Sequence, residues 1–128
     1  MRLDHVGVAT QDAASLAAQY ASLFDAEIVH EEEFDGMNVC FLDLGNAYLE
    51  LLEPTGEETT IGRYLDENGP GMHHVAFITD DIEAALANAR EDGVSLVDEE
   101  PREGAWGHTV AFLHPRDTGG VLVEYVEH

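Results

Sequence analysis

The sequence of 128 residues is poor in cations and in cysteine. Five arginines are its only strongly basic side chains, lysine is absent, and 27 acidic residues bring the formal net charge to −22. A chain of this charge repels nucleic acids and anionic membrane surfaces, which argues against both as partners. The single cysteine, Cys40, excludes an intrachain disulfide, and its place between Val39 and Phe41 predicts a buried, inert thiol.

Long hydrophobic runs are also missing. No apolar stretch approaches the roughly 20 residues that cross a bilayer, and the N-terminus lacks the basic-then-apolar layout of a signal peptide. We therefore expect a cytoplasmic protein. The length suits one compact domain, and a hydrophobic content of 45% is sufficient for a globular interior.

The acidic residues do not form a tail but are spread through a sequence that is otherwise well patterned. Disorder is therefore a poor explanation of the charge. We hypothesise that the protein is built for a very salty cytoplasm, as in a halophile, where screening removes the self-repulsion. Unfolding at low salt would support this hypothesis, and full stability in dilute buffer would contradict it.

An internal repeat is the most informative feature that is present. Residues 3–12, LDHVGVATQD, return at 72–81 as MHHVAFITDD, and residues 45–53, GNAYLELLE, align with 119–127, GGVLVEYVE. The repeat pairs His5 with His74 and Glu50 with Glu124. Since side chains alternate along a strand, each of the four lies opposite a purely apolar strand face. Burying them without partners would be costly, whereas one metal ion on a pseudo-two-fold axis would satisfy all four.

The other histidines have no place in this ligand set. His73 faces the opposite way from its neighbour and is predicted not to be a ligand. His30 and His128 are predicted to face solvent. His108 and His114 remain open as rim residues or substrate contacts.

Hydrophobic periodicity predicts the same order of elements in both halves. We expect strands near 2–9, 26–33, 37–44, 46–53, 72–79, 94–98, 108–114 and 120–127, and helices over 11–24, 59–68 and 81–92. The fold class is therefore α+β, with two βαβββ modules related by pseudo-two-fold symmetry and curved mixed sheets enclosing a metal-binding cleft. One domain would cover 1–128, with module one at about 1–54, a linker at about 55–70 and module two at about 71–128.

Four stretches carry a family resemblance: DHVGVAT, LGNAYLELLEP, GPGMHHVAF and FLHPRDTGGVLVE, of which the last two are the most specific. Nearly the whole chain resembles the methylmalonyl-CoA epimerases of the vicinal oxygen chelate superfamily, which also includes glyoxalase I and extradiol dioxygenases. The resemblance implies that His5, Glu50, His74 and Glu124 hold one divalent ion, which could be Co, Mn, Ni or Zn. These are the residues that the repeat selects.

The resemblance also implies an isomerase that interconverts (R)- and (S)-methylmalonyl-CoA through a metal-stabilised enolate at carbon 2. Inversion needs an acid/base group on each side of the planar intermediate, and Glu124 is predicted to be one of them. The position of a second carboxylate proposed in the family aligns near Val39, which cannot exchange a proton. The second base is therefore left open between Glu50, a nearby group such as His108, and a water.

Other activities and contacts stay open at this stage. A glyoxalase I-type lyase would use a similar cleft, and a module that only binds a small molecule could dispense with the glutamates. A dioxygenase usually has two His and one carboxylate, so a fourth ligand argues against it. The oligomeric state stays open, although the resemblance favours a homodimer. Arg63, Arg102 and Arg116 are candidate contacts for coenzyme A, although a local ion pair explains each equally well, and Trp106 packs on the substrate or closes the rim.

Overall fold

The computed structural model describes all 128 residues. The strands are β1 (Arg2–Ala9), β2 (Glu27–Phe34), β3 (Met37–Asp43), β4 (Tyr48–Pro54), β5 (Gly71–Ile78), β6 (Arg102–Glu103), β7 (Thr109–Leu113) and β8 (Val123–Glu127). The helices are α1 (Ala13–Phe24), α2 (Thr60–Asn68) and α3 (Ile82–Glu91), and short 3-10 turns cover Ala105–Gly107 and Pro115–Asp117. The predicted α+β class and the two βαβββ modules are confirmed. No helix has both the length and the apolar character needed to cross a membrane.

The chain folds into two compact units. The first unit is His5–His73, and the second is Met1–Asp4 together with His74–His128. In the first unit the strand order is β2-β3-β4-β1, with β1 parallel to β4 and the other pairs antiparallel. In the second unit the order β5-β8-β7-β6 repeats this pattern, with β5 parallel to β8. The predicted bounds of a single domain with two modules and a linker remain a prediction.

Each unit packs one helix on the apolar face of its strands. In the first unit, the core under α1 contains Ala17, Leu42 and Leu51, and in the second unit Leu86 of α3 packs with Ala111 in the equivalent core. Burial of these side chains is the main term that stabilises each unit, at roughly 25 cal/mol per Å² of apolar surface. The opposite strand faces, which carry the predicted ligands, are therefore directed away from the helices.

The repeat extends to the way in which the two helices begin. Asp12 and Asp81 act as N-caps, and their side chains accept hydrogen bonds from backbone N–H groups of the first turn. A second acceptor comes from the last residues of the repeat: Glu53 accepts from Ala13 N–H at 2.9 Å, and Glu127 accepts from the Ile82 N–H at the same distance. These glutamates satisfy helix N–H groups that would otherwise lack partners.

One predicted strand is wrong. Residues 94–98 form only an isolated bridge between Leu96 and Leu113, and the short edge strand is formed instead at 102–103. The N–H groups of Val97 and Asp98 both donate to the carbonyl of Phe112, which interrupts a regular ladder. The Asp98 carboxylate accepts the Phe112 N–H at 2.8 Å, so a side chain replaces the backbone acceptor.

Helix α2 approaches the preceding loop so closely that only glycine fits at position 62. A Cβ atom added to Gly62 would lie 2.4 Å from the carbonyl oxygen of Gly56 and 2.8 Å from that of Glu57. We expect Gly62→Ala to lower the free energy of unfolding by roughly 1–3 kcal/mol, because backbone atoms must move apart. Urea denaturation would measure this, with the exposed Glu67→Ala of the same helix as control. Equal urea concentrations at the unfolding midpoint of the two variants would contradict the prediction.

Candidate metal centre

The first unit brings His5 and Glu50 together. His5 lies on β1 opposite Tyr48 of β4, and Glu50 lies two residues further along β4, opposite Gly7. Because residues two apart on a strand share a face, this diagonal relation directs both side chains the same way. His5 Nε2 is 3.2 Å from Glu50 Oε1, and the two residues are 3% and 6% exposed.

The second unit repeats this arrangement with His74 and Glu124. Glu124 of β8 lies opposite Ala76, two residues beyond His74 on the parallel strand β5. His74 Nε2 is 3.8 Å from Glu124 Oε1, and both residues are buried. The same residue types therefore occupy the same diagonal position in each unit, as the repeat predicts.

The chemistry of these atoms fits a divalent cation. Metal–N and metal–O bonds of about 2.0–2.2 Å place neighbouring donor atoms of one ion roughly 3–3.5 Å apart. The first pair falls in this range at 3.2 Å, and the second is slightly wider at 3.8 Å. His5, His74 and Glu124 each offer a buried donor atom of a type that binds metal. Imidazole and carboxylate donors suit Co, Mn, Ni and Zn alike, so the ligands do not select one ion.

A phenylalanine ring lies beside each His–Glu pair, and neither of them was identified from the sequence. Phe41 of β3 lies directly opposite Glu50, and its ring meets the His5 ring edge-on with centroids 5.8 Å apart. Phe112 of β7 lies opposite Glu124 and meets the ring of His74 in the same way at 5.6 Å. Each ring covers one imidazole of a pair, so it restricts the orientation of that ligand. A sequence signal existed, since CFL at 40–42 is echoed by AFL at 111–113.

The positions of the other histidines agree only in part with those predicted from the sequence. His73 packs edge-on against Tyr64 at 4.7 Å, away from the face of the ligands. The prediction that His30 faces solvent is wrong, because it is half-buried and its Nε2 is 3.3 Å from a carboxylate oxygen of Glu32. His114 accepts the backbone N–H of Arg116 through Nδ1 at 3.3 Å, which gives it a role within its turn.

His128 is exposed and also belongs to a polar cluster. Its Nε2 lies 2.8 Å from the carboxylate of Asp4, which is itself buried, while 37% of the His128 side chain is exposed, in agreement with the predicted solvent-facing position. The ring of His108 stacks on His128 with centroids 3.9 Å apart, and the ring of Trp106 stacks on His108 with centroids 5.6 Å apart. A buried carboxylate requires a partner, and His128 supplies one. No local pattern links these residues, which explains why the sequence did not reveal the cluster.

Cys40 is buried in the core of the first unit, as predicted. Burial raises the pKa of its thiol to about 11, and the charge of Glu31 adds to the effect. We expect the native thiol to react slowly with a disulfide reagent at pH 8, because its thiolate fraction is about 100-fold lower than at a pKa of 9. Absorbance of the released chromophore would measure the rate, with urea-unfolded protein as reference. Immediate stoichiometric labelling of folded protein would contradict the prediction.

The chain matches known proteins over most of its length. Residues 4–112 match the model of the glyoxalase/bleomycin resistance protein/dioxygenase superfamily. An ethylmalonyl-CoA/methylmalonyl-CoA epimerase from Cereibacter sphaeroides is 40% identical over 96% of this chain and 95% of its own length. The mitochondrial methylmalonyl-CoA epimerase of Homo sapiens is 39% identical over 96% of this chain and 72% of its own length.

A solved structure is similar to the same extent. A variant of the Streptomyces coelicolor methylmalonyl-CoA epimerase, in complex with 2-nitronate-propionyl-CoA, superimposes with a TM-score of 0.91 at 39% identity. The match covers 99% of this chain and 94% of that one. The resemblance drawn from the sequence motifs is thereby confirmed.

Proposed function

Because the chain belongs to the glyoxalase/bleomycin resistance protein/dioxygenase superfamily, we propose that it is an isomerase that epimerises methylmalonyl-CoA at carbon 2. One observation carries the proposal: a buried His–Glu pair occurs at the same place in both repeats. The substrate is suggested by two of the similar proteins, one a methylmalonyl-CoA epimerase and the other an ethylmalonyl-CoA/methylmalonyl-CoA epimerase. A methylmalonyl-CoA epimerase whose structure is also similar was solved in complex with methylmalonyl-CoA.

We further propose that His5, Glu50, His74 and Glu124 hold one divalent ion, with Co, Mn, Ni and Zn as candidates. The support is the donor set and the separation of donor atoms within each pair. When bound, such an ion acts as a Lewis acid that stabilises negative charge on the thioester and carboxylate oxygens. Burial of all four residues would strengthen that interaction, because little water competes with it.

Two carboxylates then serve the proton transfer. Inversion requires one group that takes the carbon 2 proton and another that returns it on the opposite side of the planar intermediate. We assign the first role to Glu124 Oε and the second to its repeat equivalent, Glu50. The position expected from the family, Val39, is apolar and 2% exposed, so it does not contribute a base. Phe41 and Phe112 would help to exclude water from these carboxylates.

Hydrogen exchange tests the proposal directly. The protein would be mixed with methylmalonyl-CoA in heavy water, with and without a chelator, and deuterium at carbon 2 followed by NMR. We expect rapid exchange that the chelator abolishes and added divalent ion restores. A parallel assay with the methylglyoxal–glutathione adduct tests the lyase alternative. Two results would refute the proposed mechanism. One is turnover of that adduct without exchange at carbon 2, and the other is an exchange rate that the chelator does not change.

Three broader expectations remain predictions. They are the cytoplasmic location, the oligomeric state, for which the resemblance favours a homodimer, and the adaptation to high salt. Size measurement in solution and unfolding as a function of salt concentration would test the last two.

A further inference from the structure

Strand register places one arginine on the same face as Glu124. Arg102 of the edge strand β6 lies opposite Val110 of β7, and Val110 lies opposite Val126 of β8. Residues directly opposed in an antiparallel pair share a face, and Glu124 is two residues before Val126 on that face. Arg102 therefore extends from the face that carries the His74–Glu124 pair.

The guanidinium lies close to that pair. Arg102 Cζ is 5.6 Å from the centroid of the Phe112 ring, within the range of a cation–π contact. The same ring is opposite Glu124 and 5.6 Å from the His74 ring. Guanidinium, phenyl and imidazole groups thus follow one another along the face.

Arg102 is held at one nitrogen only. Its Nε donates to Asp98 Oδ1 at 3.1 Å, while Asp98 Oδ2 accepts the Phe112 N–H at 2.8 Å. Asp98 thereby ties the side chain to strand β7. The two terminal nitrogens of Arg102 make no hydrogen bond, and 47% of the side chain is exposed. They are available to an oxyanion from solution.

Three other arginines belong to this unit, and the first of them, Arg2, lies on β1. Nη2 of Arg90, on α3, donates to Glu99, and Nη2 of Arg116, in the 115–117 turn, donates to Ser95 Oγ at 3.1 Å. None of these three arginines lies on β5, β6, β7 or β8, the neighbouring strands that carry the His74–Glu124 pair and Arg102. Arg102 is therefore the cation that these strands offer to an anionic substrate, in a chain with a net charge of −22.

We propose that Arg102 binds an anionic oxygen group of the acyl thioester, either its carboxylate or a phosphate of coenzyme A. The planar guanidinium matches both groups, and its anchored Nε leaves the terminal donors oriented for the contact. This assignment rests on the proposed function for the identity of the ligand. Arg102 would act in substrate binding and specificity, not in proton transfer.

The test compares Arg102→Gln with Arg90→Gln. The two arginines are matched, because each side chain is 47% exposed and each pairs with one carboxylate. For Arg102→Gln we expect KM to rise by about tenfold or more, with kcat changed by less than roughly threefold, because an interaction made equally in ground and transition states is lost. Arg90→Gln should match the unmodified protein, and Arg102→Lys should recover part of the affinity. Thermal unfolding should be alike in all of them.

A shortened substrate separates the two sources of the anion. Methylmalonyl-pantetheine lacks the nucleotide phosphates. If Arg102→Gln still raises KM with this substrate, Arg102 binds the carboxylate. If the rise in KM disappears, Arg102 binds a phosphate. Calorimetric binding of malonyl-CoA gives a readout that does not need turnover, so Arg102 is tested even if carbon 2 exchange fails. Unchanged KM and binding in Arg102→Gln, or a loss of kcat accompanied by a lower unfolding temperature, would overturn the assignment.

Discussion

Replacing Glu124 with glutamine is expected to slow deuterium exchange at carbon 2 by about 10³-fold, the middle of the range for losing a general acid/base. The amide keeps the size of the side chain and one oxygen donor, but it cannot take up the proton. We therefore expect the variant to retain metal while losing exchange. NMR of the substrate in heavy water measures the rate, and elemental analysis measures the ion.

The matched control for this prediction is Glu127→Gln on the same strand. The substitution is the same, but the Glu127 side chain lies on the other side of the strand, where it accepts the Ile82 N–H at the start of α3. We expect Glu127→Gln to lower stability slightly, by roughly 1 kcal/mol, and to leave exchange intact. If Glu124→Gln keeps more than a tenth of the exchange rate with its metal bound, Glu124 is not the base.

Removing either predicted histidine ligand is expected to abolish metal binding by the whole chain. If one ion uses donors from both repeats, the unmodified protein binds about one ion per chain, and His5→Ala and His74→Ala each lose it, because three remaining donors hold a divalent ion far less tightly. Equilibrium dialysis with Co²⁺ and the visible spectrum of the bound ion measure this. Exchange at carbon 2 should fall with the metal content in both variants.

The control is His30→Ala, since His30 pairs with Glu32 on β2 and belongs to neither pair. It should bind about one ion with unchanged affinity. Two ions per chain in the unmodified protein would mean that each His–Glu pair binds its own metal. Retention of the ion in one of the two histidine variants would equally contradict a shared site.

Much of the fold could be predicted because the signals are local. Alternation along each strand put His5 and Glu50 opposite the apolar strand faces, and helical spacing predicted a helix at 81–92 where α3 covers Ile82–Glu91. Because the same residue types recur in both repeats, the four residues could be predicted as ligands rather than as ordinary buried residues. Those predictions needed only the preferences of neighbouring residues.

The sequence did not reveal two kinds of contact: a side chain that replaces a backbone partner, and a pair of side chains far apart along the chain. Asp98 accepts the Phe112 N–H, so the expected strand at 94–98 gives way to a single bridge. His128 pairs with Asp4 although the two residues stand near opposite ends of the chain. Contacts of this kind depend on which strands become neighbours, and sequence periodicity carries no information about that.

By itself, the sequence determined which residues we propose for the chemistry: two histidines and two glutamates at repeated places, each opposite an apolar strand face. Tertiary structure alone decided what surrounds them, namely the rings of Phe41 and Phe112 and the guanidinium of Arg102. The physical reason is that the direction of a side chain follows from the local strand period, whereas its neighbours follow from the register between strands, which packing of the complete core sets.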